Sequence, residues 1–105
     1  MSIEEIVKGA RETMSKVDVS GVNFLAVQVN LTGENGGVFY IEIKDGKVNV
    51  EPYEYNDRSC GITISPDNFA KLIAGKLDPV MAFTTGKLKV DGDVGKALEF
   101  SKLLK

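Results

Sequence analysis

The chain has 105 residues, 43% hydrophobic and 27% charged, with a formal net charge of -2, and a chain of this size builds one domain around one core, expected to span residues 1–105. No apolar run approaches the ~18 to 20 residues of a membrane span, and the scattered lysines form no basic stripe, so a membrane anchor and nucleic-acid binding are excluded. The N-terminal MSIEEIVKGARETM carries acids where a secretory signal needs basic residues and an apolar stretch, and the single Cys60 cannot form an internal disulfide, so a cytoplasmic setting is expected.

Ser2 followed by Glu5 is a capping box, and Ile3, Ile6, Val7, Ala10, Met14 and Val17 recur behind it at helical spacing. This predicts an amphipathic helix ending near Val17. Asp18 to Gly21 turn the chain, and VNFLAVQVNL then alternates, with Leu25, Val27, Val29 and Leu31 on one side and Val22, Phe24 and Ala26 on the other. Both sides of that strand are apolar enough to be covered, at least at its start.

GENGG supplies a hairpin loop, and VFYIEIK places Phe39, Ile41 and Ile43 on one face. Asp45-Gly46 is the tight-turn pair that tolerates positive φ at both central positions. KVNVEPYEY continues as a third strand with Val48 and Val50 inward, until Pro52 removes a ladder donor. NDRS is a loop, and CGITI is a short fourth strand with Cys60, Ile62 and Ile64 on one face.

Ser65-Pro66 opens a helix striped with Phe69, Leu72 and Ile73, which Gly75 stops. Asp78-Pro79 opens a second, shorter one through Met81 and Phe83, which Gly86 stops. Lys87 to Val90 alternate as a fifth strand, Asp91-Gly92 turn, and Asp93 caps a last helix with Val94, Ala97, Leu98 and Leu104, widened by Phe100 and Leu103. The expected order is α-β-β-β-β-α-α-β-α.

Little here reads as chemistry. The chain has no histidine, which removes the commonest general base and metal ligand together. Zinc and calcium spacings are absent, and no metal or cofactor is expected. Cys60, inward on a strand, reads as a small buried hydrophobe. Asp57-Arg58 and the Asp91/Asp93 pair are explained by turns and caps. The two GKL triplets, at Gly75 and Gly86, lack the following Ser or Thr of a phosphate loop and read as helix stops whose lysines face the carboxyl end of the helix dipole. The chain is not expected to be an enzyme. Phe69, Leu72, Ile73, Met81, Phe83, Leu98, Phe100 and Leu103 form an unusual stock of large apolar side chains on short helices. They can be plain core or the walls of a small-ligand pocket, and periodicity does not separate the two.

From Asp57 to Leu104 the chain resembles the signature half of the sterol carrier protein type-2 family. The resemblance is carried by the strand Cys60 to Ile64, by Phe69 with Leu72, and by Gly75-Lys76-Leu77 and Asp78-Pro79. Ala82-Phe83, Gly86-Lys87-Leu88 and Gly92-Asp93 complete it. It implies an α+β fold: a five-stranded, twisted, mostly antiparallel sheet with about four helices over one face. It also implies non-catalytic binding and carriage of a fatty acid, fatty acyl-CoA or related lipid in an apolar cavity, with transient membrane contact. The implied lipid-binding residues are Phe69, Ile73, Met81, Phe83, Leu88, Val90 and Leu98, with Arg58 or a lysine near the headgroup. The C-terminal Leu103-Leu104-Lys105 lacks a peroxisomal address, which points to a free-standing prokaryotic-type member carrying an acyl or isoprenoid lipid rather than a sterol. The alternative is a non-transporting module, for homodimerisation or for presenting substrate to a lipid-metabolising enzyme.

Overall fold

The structure is a computed structural model and describes residues 2–34 and 36–104. The GENGG loop falls partly on Asn35, outside the described residues. Helix α1 (Ile3–Ser15) starts at the expected capping box: Glu5 N–H donates to Ser2 Oγ, and Ser2 N–H to Glu5 Oε1, both at 3.3 Å. It buries Ile6, Val7, Ala10 and Met14. Strands β1 (Phe24–Leu31), β2 (Gly37–Lys44), β3 (Lys47–Glu51) and β4 (Cys60–Ile64) follow, then α2 (Pro66–Ile73), α3 (Pro79–Thr84), β5 (Leu88–Gly92) and α4 (Val94–Leu103). Order and type match the sequence reading throughout.

The sheet runs β3-β2-β1-β4-β5. All neighbours are antiparallel except β1 and β4, which are parallel. Register sets Val27 between Ile41 and Cys60, and Val29 between Phe39 and Ile62. Because side chains alternate along a strand, this alignment gathers the apolar residues of all five strands onto one face. The helices cover that face: α1 lies against α2 and β3, α3 against β5, and α4 against β4 and β1.

Two segments depart from expectation. Strand β3 ends at Glu51, where Pro52 interrupts the ladder as expected, but residues 52–59 do not leave the sheet as a simple loop: they fold across its opposite face. There the Tyr55 ring meets Tyr40 edge-on with centroids 5.1 Å apart, its hydroxyl donates to Glu42 Oε2 at 2.7 Å, and its N–H donates to Gln28 Oε1 at 3.1 Å. This cover is why Ala26 and Gln28 of β1 are buried on the polar side. The second departure is Asp91-Gly92, which stays in β5, paired with Gly61 and Cys60, instead of turning.

Both GKL triplets are helix stops of one kind. Lys76 N–H donates to Lys71 O at 2.8 Å and Gly75 N–H to Leu72 O at 3.2 Å; Lys87 N–H donates to Ala82 O at 2.9 Å and Gly86 N–H to Phe83 O at 3.2 Å. With Gly75 at φ 75° and Gly86 at φ 80°, each is a Schellman motif, in which the left-handed residue lets the chain turn back on the last carbonyls.

Candidate functional site

Helix α3 is held by its ends more than by its body. Asp78 Oδ1 accepts from Val80 N–H at 2.8 Å, Pro79 supplies a preset φ at the first turn, and the Gly86 motif closes the other end. Six residues make under two turns, and only Pro79 and Ala82 are buried. Val80, Met81 and Phe83 are each at least half exposed. Across β5, helix α4 starts at Asp93, whose Oδ1 accepts from Lys96 N–H at 3.2 Å. It buries Phe100 and Ser101 and leaves Val94 and Leu98 about half exposed. The arc from Val94 to Leu98 faces the gap beside α3.

Between the two helices, with β5 as its base, lies a groove of about 190 Å³. Helix α3 contributes Pro79, Val80 and Phe83, and β5 contributes Leu88 and Val90. Val94, Ala97, Leu98 and Ser101 of α4 complete the lining. Ser101 is the one polar residue among these, and its hydroxyl proton is spent on Leu98 O at 2.7 Å. Among the described residues no charged side chain lines the groove. Such a surface can shelter an apolar chain from water.

Four of the seven residues expected to bind lipid line this groove: Phe83, Leu88, Val90 and Leu98. Three do not. Phe69 is wholly buried against Phe39 in the main core. Ile73 turns toward α1, with its Cδ1 3.6 Å from the position of a Cβ built at Gly9, and Met81 points into solvent. Pro79, Val80, Val94, Ala97 and Ser101 escaped the sequence reading. For α4 the signal was present, since Val94, Ala97, Leu98 and Ser101 follow i, i+3, i+4, i+7 spacing, but a serine closes the pattern.

The other candidates fall away. Arg58 Nε lies 3.8 Å from Asp91 Oδ1, and Asp91 alternates with Val90, so the pair is on the face opposite the groove. It is not a headgroup contact at the mouth. Burial, with the charges of Asp91 and Asp93 behind it, pushes the Cys60 thiol up to about 11, so the thiolate is scarce at neutral pH. A larger, polar hollow of about 390 Å³ sits where Gly75 to Pro79 leave α2. Its peptide N–H groups at Gly75 and Lys76 are already used in the helix stop. Among the described residues no three His, Cys, Asp or Glu side chains come together to hold a metal, and no helix is long and apolar enough to cross a membrane.

A sequence profile described as the SCP-2 sterol transfer family matches residues 3–105. The chain belongs to that family. Among SCP-2 relatives, the hydroxysteroid dehydrogenase-like protein 2 of Bos taurus is 32% identical over 104 residues, covering 98% of this chain and 25% of that protein. The chain thus spans about a quarter of the length of the curated relatives it matches. Two solved structures share the SCP-2 fold at 20% identity. The sterol carrier protein 2 like 2 of Aedes aegypti superposes with a TM-score of 0.76 over 98% of this chain and 96% of that one. Its palmitated form in solution gives 0.74 over 99% and 95%.

Proposed function

We propose that the chain binds and carries a lipid through its alkyl or acyl chain, held in the groove between α3 and α4, and performs no chemistry on it. The observation that carries this reading is the groove itself: an apolar lining without a charge, framed by Val80, Phe83, Val94 and Leu98 left about half exposed. A contiguous exposed apolar surface is costly for a soluble protein and marks a binding site. Each buried methylene contributes ~0.8 kcal/mol, so a chain needs few polar contacts to be held. Family membership and the palmitated fold relative support the same reading. The exposed frame also suits brief contact with the membrane from which a lipid is taken.

Native mass spectrometry of the purified protein, with an organic extract analysed beside it, tests the proposal. A co-purifying lipid, or a rise in melting temperature with palmitate or an acyl-CoA, is the expected result. A lipid-free protein whose melting temperature none of these ligands moves would remove the carrier reading. One observation favours a second reading, an accessory module that presents lipid to an enzyme: the curated relatives are about four times as long as the segment they share with this chain. Under that reading the protein binds lipid but does not move it between vesicles.

A further inference from the structure

The floor of the groove limits what can enter it. Pro79, Leu88 and Ser101 form its deep end and are buried, while the four residues of the frame are about half exposed. Beyond that floor stand buried core side chains. Ile64 pairs with Leu88, Ile62 pairs with Val90, and Phe100 adjoins Ser101; none of the three is more than 3% exposed. A cavity of roughly 150 Å³ holds one benzene, so 190 Å³ holds a chain segment of about eight carbons.

As a deepening that rests on the lipid-binding reading, we infer that the groove takes the terminal segment, about eight carbons, of a single unbranched chain, methyl end inward. The polar head stays outside. A carboxylate driven to the floor would meet no cation, and the one hydroxyl there has already given its proton to Leu98 O. A sterol's fused rings carry about twice the carbons that the groove holds. Being rigid, they cannot bend out through the mouth as the far part of a flexible chain can. Leu88 and Ala97 set the usable length, the first from the floor and the second from the α4 wall.

Isothermal titration of the full chain with hexanoate, octanoate, decanoate, dodecanoate and palmitate, all below their micelle concentrations, and with cholesterol, tests this. Affinity should rise about fourfold per methylene as far as decanoate and then flatten, leaving palmitate within about tenfold of decanoate and cholesterol without measurable binding. A slope that continues undiminished to palmitate, or cholesterol binding as tightly as decanoate, overturns the inference and leaves lipid binding standing. Absence of binding by every ligand overturns both. Leu88→Ala should move the break toward dodecanoate and Ala97→Leu toward hexanoate. Ala97 is half-buried on a helix, so its variant folds even if Leu88→Ala does not, and a break that stays in place in Ala97→Leu overturns the assignment.

Discussion

Phe69 meets Phe39 edge-on, with ring centroids 5.3 Å apart and planes at 78°, and neither ring is exposed at all. The pair pins α2 to β2 in the centre of the core. Phe69→Ala should therefore cost about 3–5 kcal/mol in urea denaturation. The milder Phe69→Leu should stay folded and bind a fluorescent fatty acid as the unmodified protein does. Weakened binding in a folded Phe69→Leu would return this residue to the ligand's wall.

Phe83 is the counterpart on the groove side. Because it is half exposed, Phe83→Asp removes little buried area and should change stability by no more than about 1 kcal/mol. Its carboxylate, however, stands where the chain must lie, so fatty-acid binding should vanish. Undiminished binding by a folded Phe83→Asp would place the ligand elsewhere.

The Tyr55–Glu42 hydrogen bond makes a prediction about pH. The carboxylate acceptor, and after it partial burial, push the Tyr55 hydroxyl up from 10.0 to about 12. A value raised by folding means that the contribution is complete below pH 10 and fades as pH rises toward 12. Glu42 is held below the ordinary carboxylate range by Tyr55 and then by Asn49. Its contribution is complete above the unfolded value and fades as pH falls through the folded one. Tyr55→Phe should cost about 1 kcal/mol at neutral pH. It should also flatten the fall in melting temperature between about pH 10 and 12. Equal alkaline loss in both proteins would locate the titrating group elsewhere.

Gly92 and Gly86 have nearly the same backbone, at φ 78° and 80°, in different surroundings. A Cβ at Gly92 would lie 3.2 Å from Cys60 Cα and 3.3 Å from Ser59 O, whereas one at Gly86 meets nothing within 4 Å. Alanine at Gly86 should cost the left-handed penalty alone, about 1 kcal/mol. Alanine at Gly92 must also move the β4 backbone, so its chemical-denaturation midpoint should fall further. Equal losses would show that β4 and β5 can separate freely.

Cys60 is buried and its thiol stays protonated at neutral pH. Alkylation of the folded protein at that pH should be slow. Cys60→Ser should leave fatty-acid binding intact while costing about 1–3 kcal/mol, since it buries a hydroxyl among apolar neighbours. Loss of binding in a folded Cys60→Ser would give the residue a part in the site.

The sequence by itself determined the local elements. Ser2 with Glu5, Ser65-Pro66, Asp78-Pro79 and Asp93 start helices because their side chains accept the first orphan N–H groups, and Gly75 and Gly86 end them because a left-handed residue is needed there. Alternation in β1 to β5 set which residues share a face. Each of these choices is made within a few residues, where covalent geometry and short-range hydrogen bonds dominate. Only the tertiary structure decided what each face meets. Phe69 and Phe83 sit on helices with the same start grammar, yet one closes the core and the other opens onto a groove. Tyr55 lies past the proline that ends its strand, where sequence says nothing of its partners, and Gln28 and Glu42, distant in sequence, hold it across the sheet. Helical spacing reports on which side of its axis a residue lies. Whether that side finds the main core or a gap depends on where α3 and α4 settle over β5, which is fixed by contacts between segments far apart in the chain.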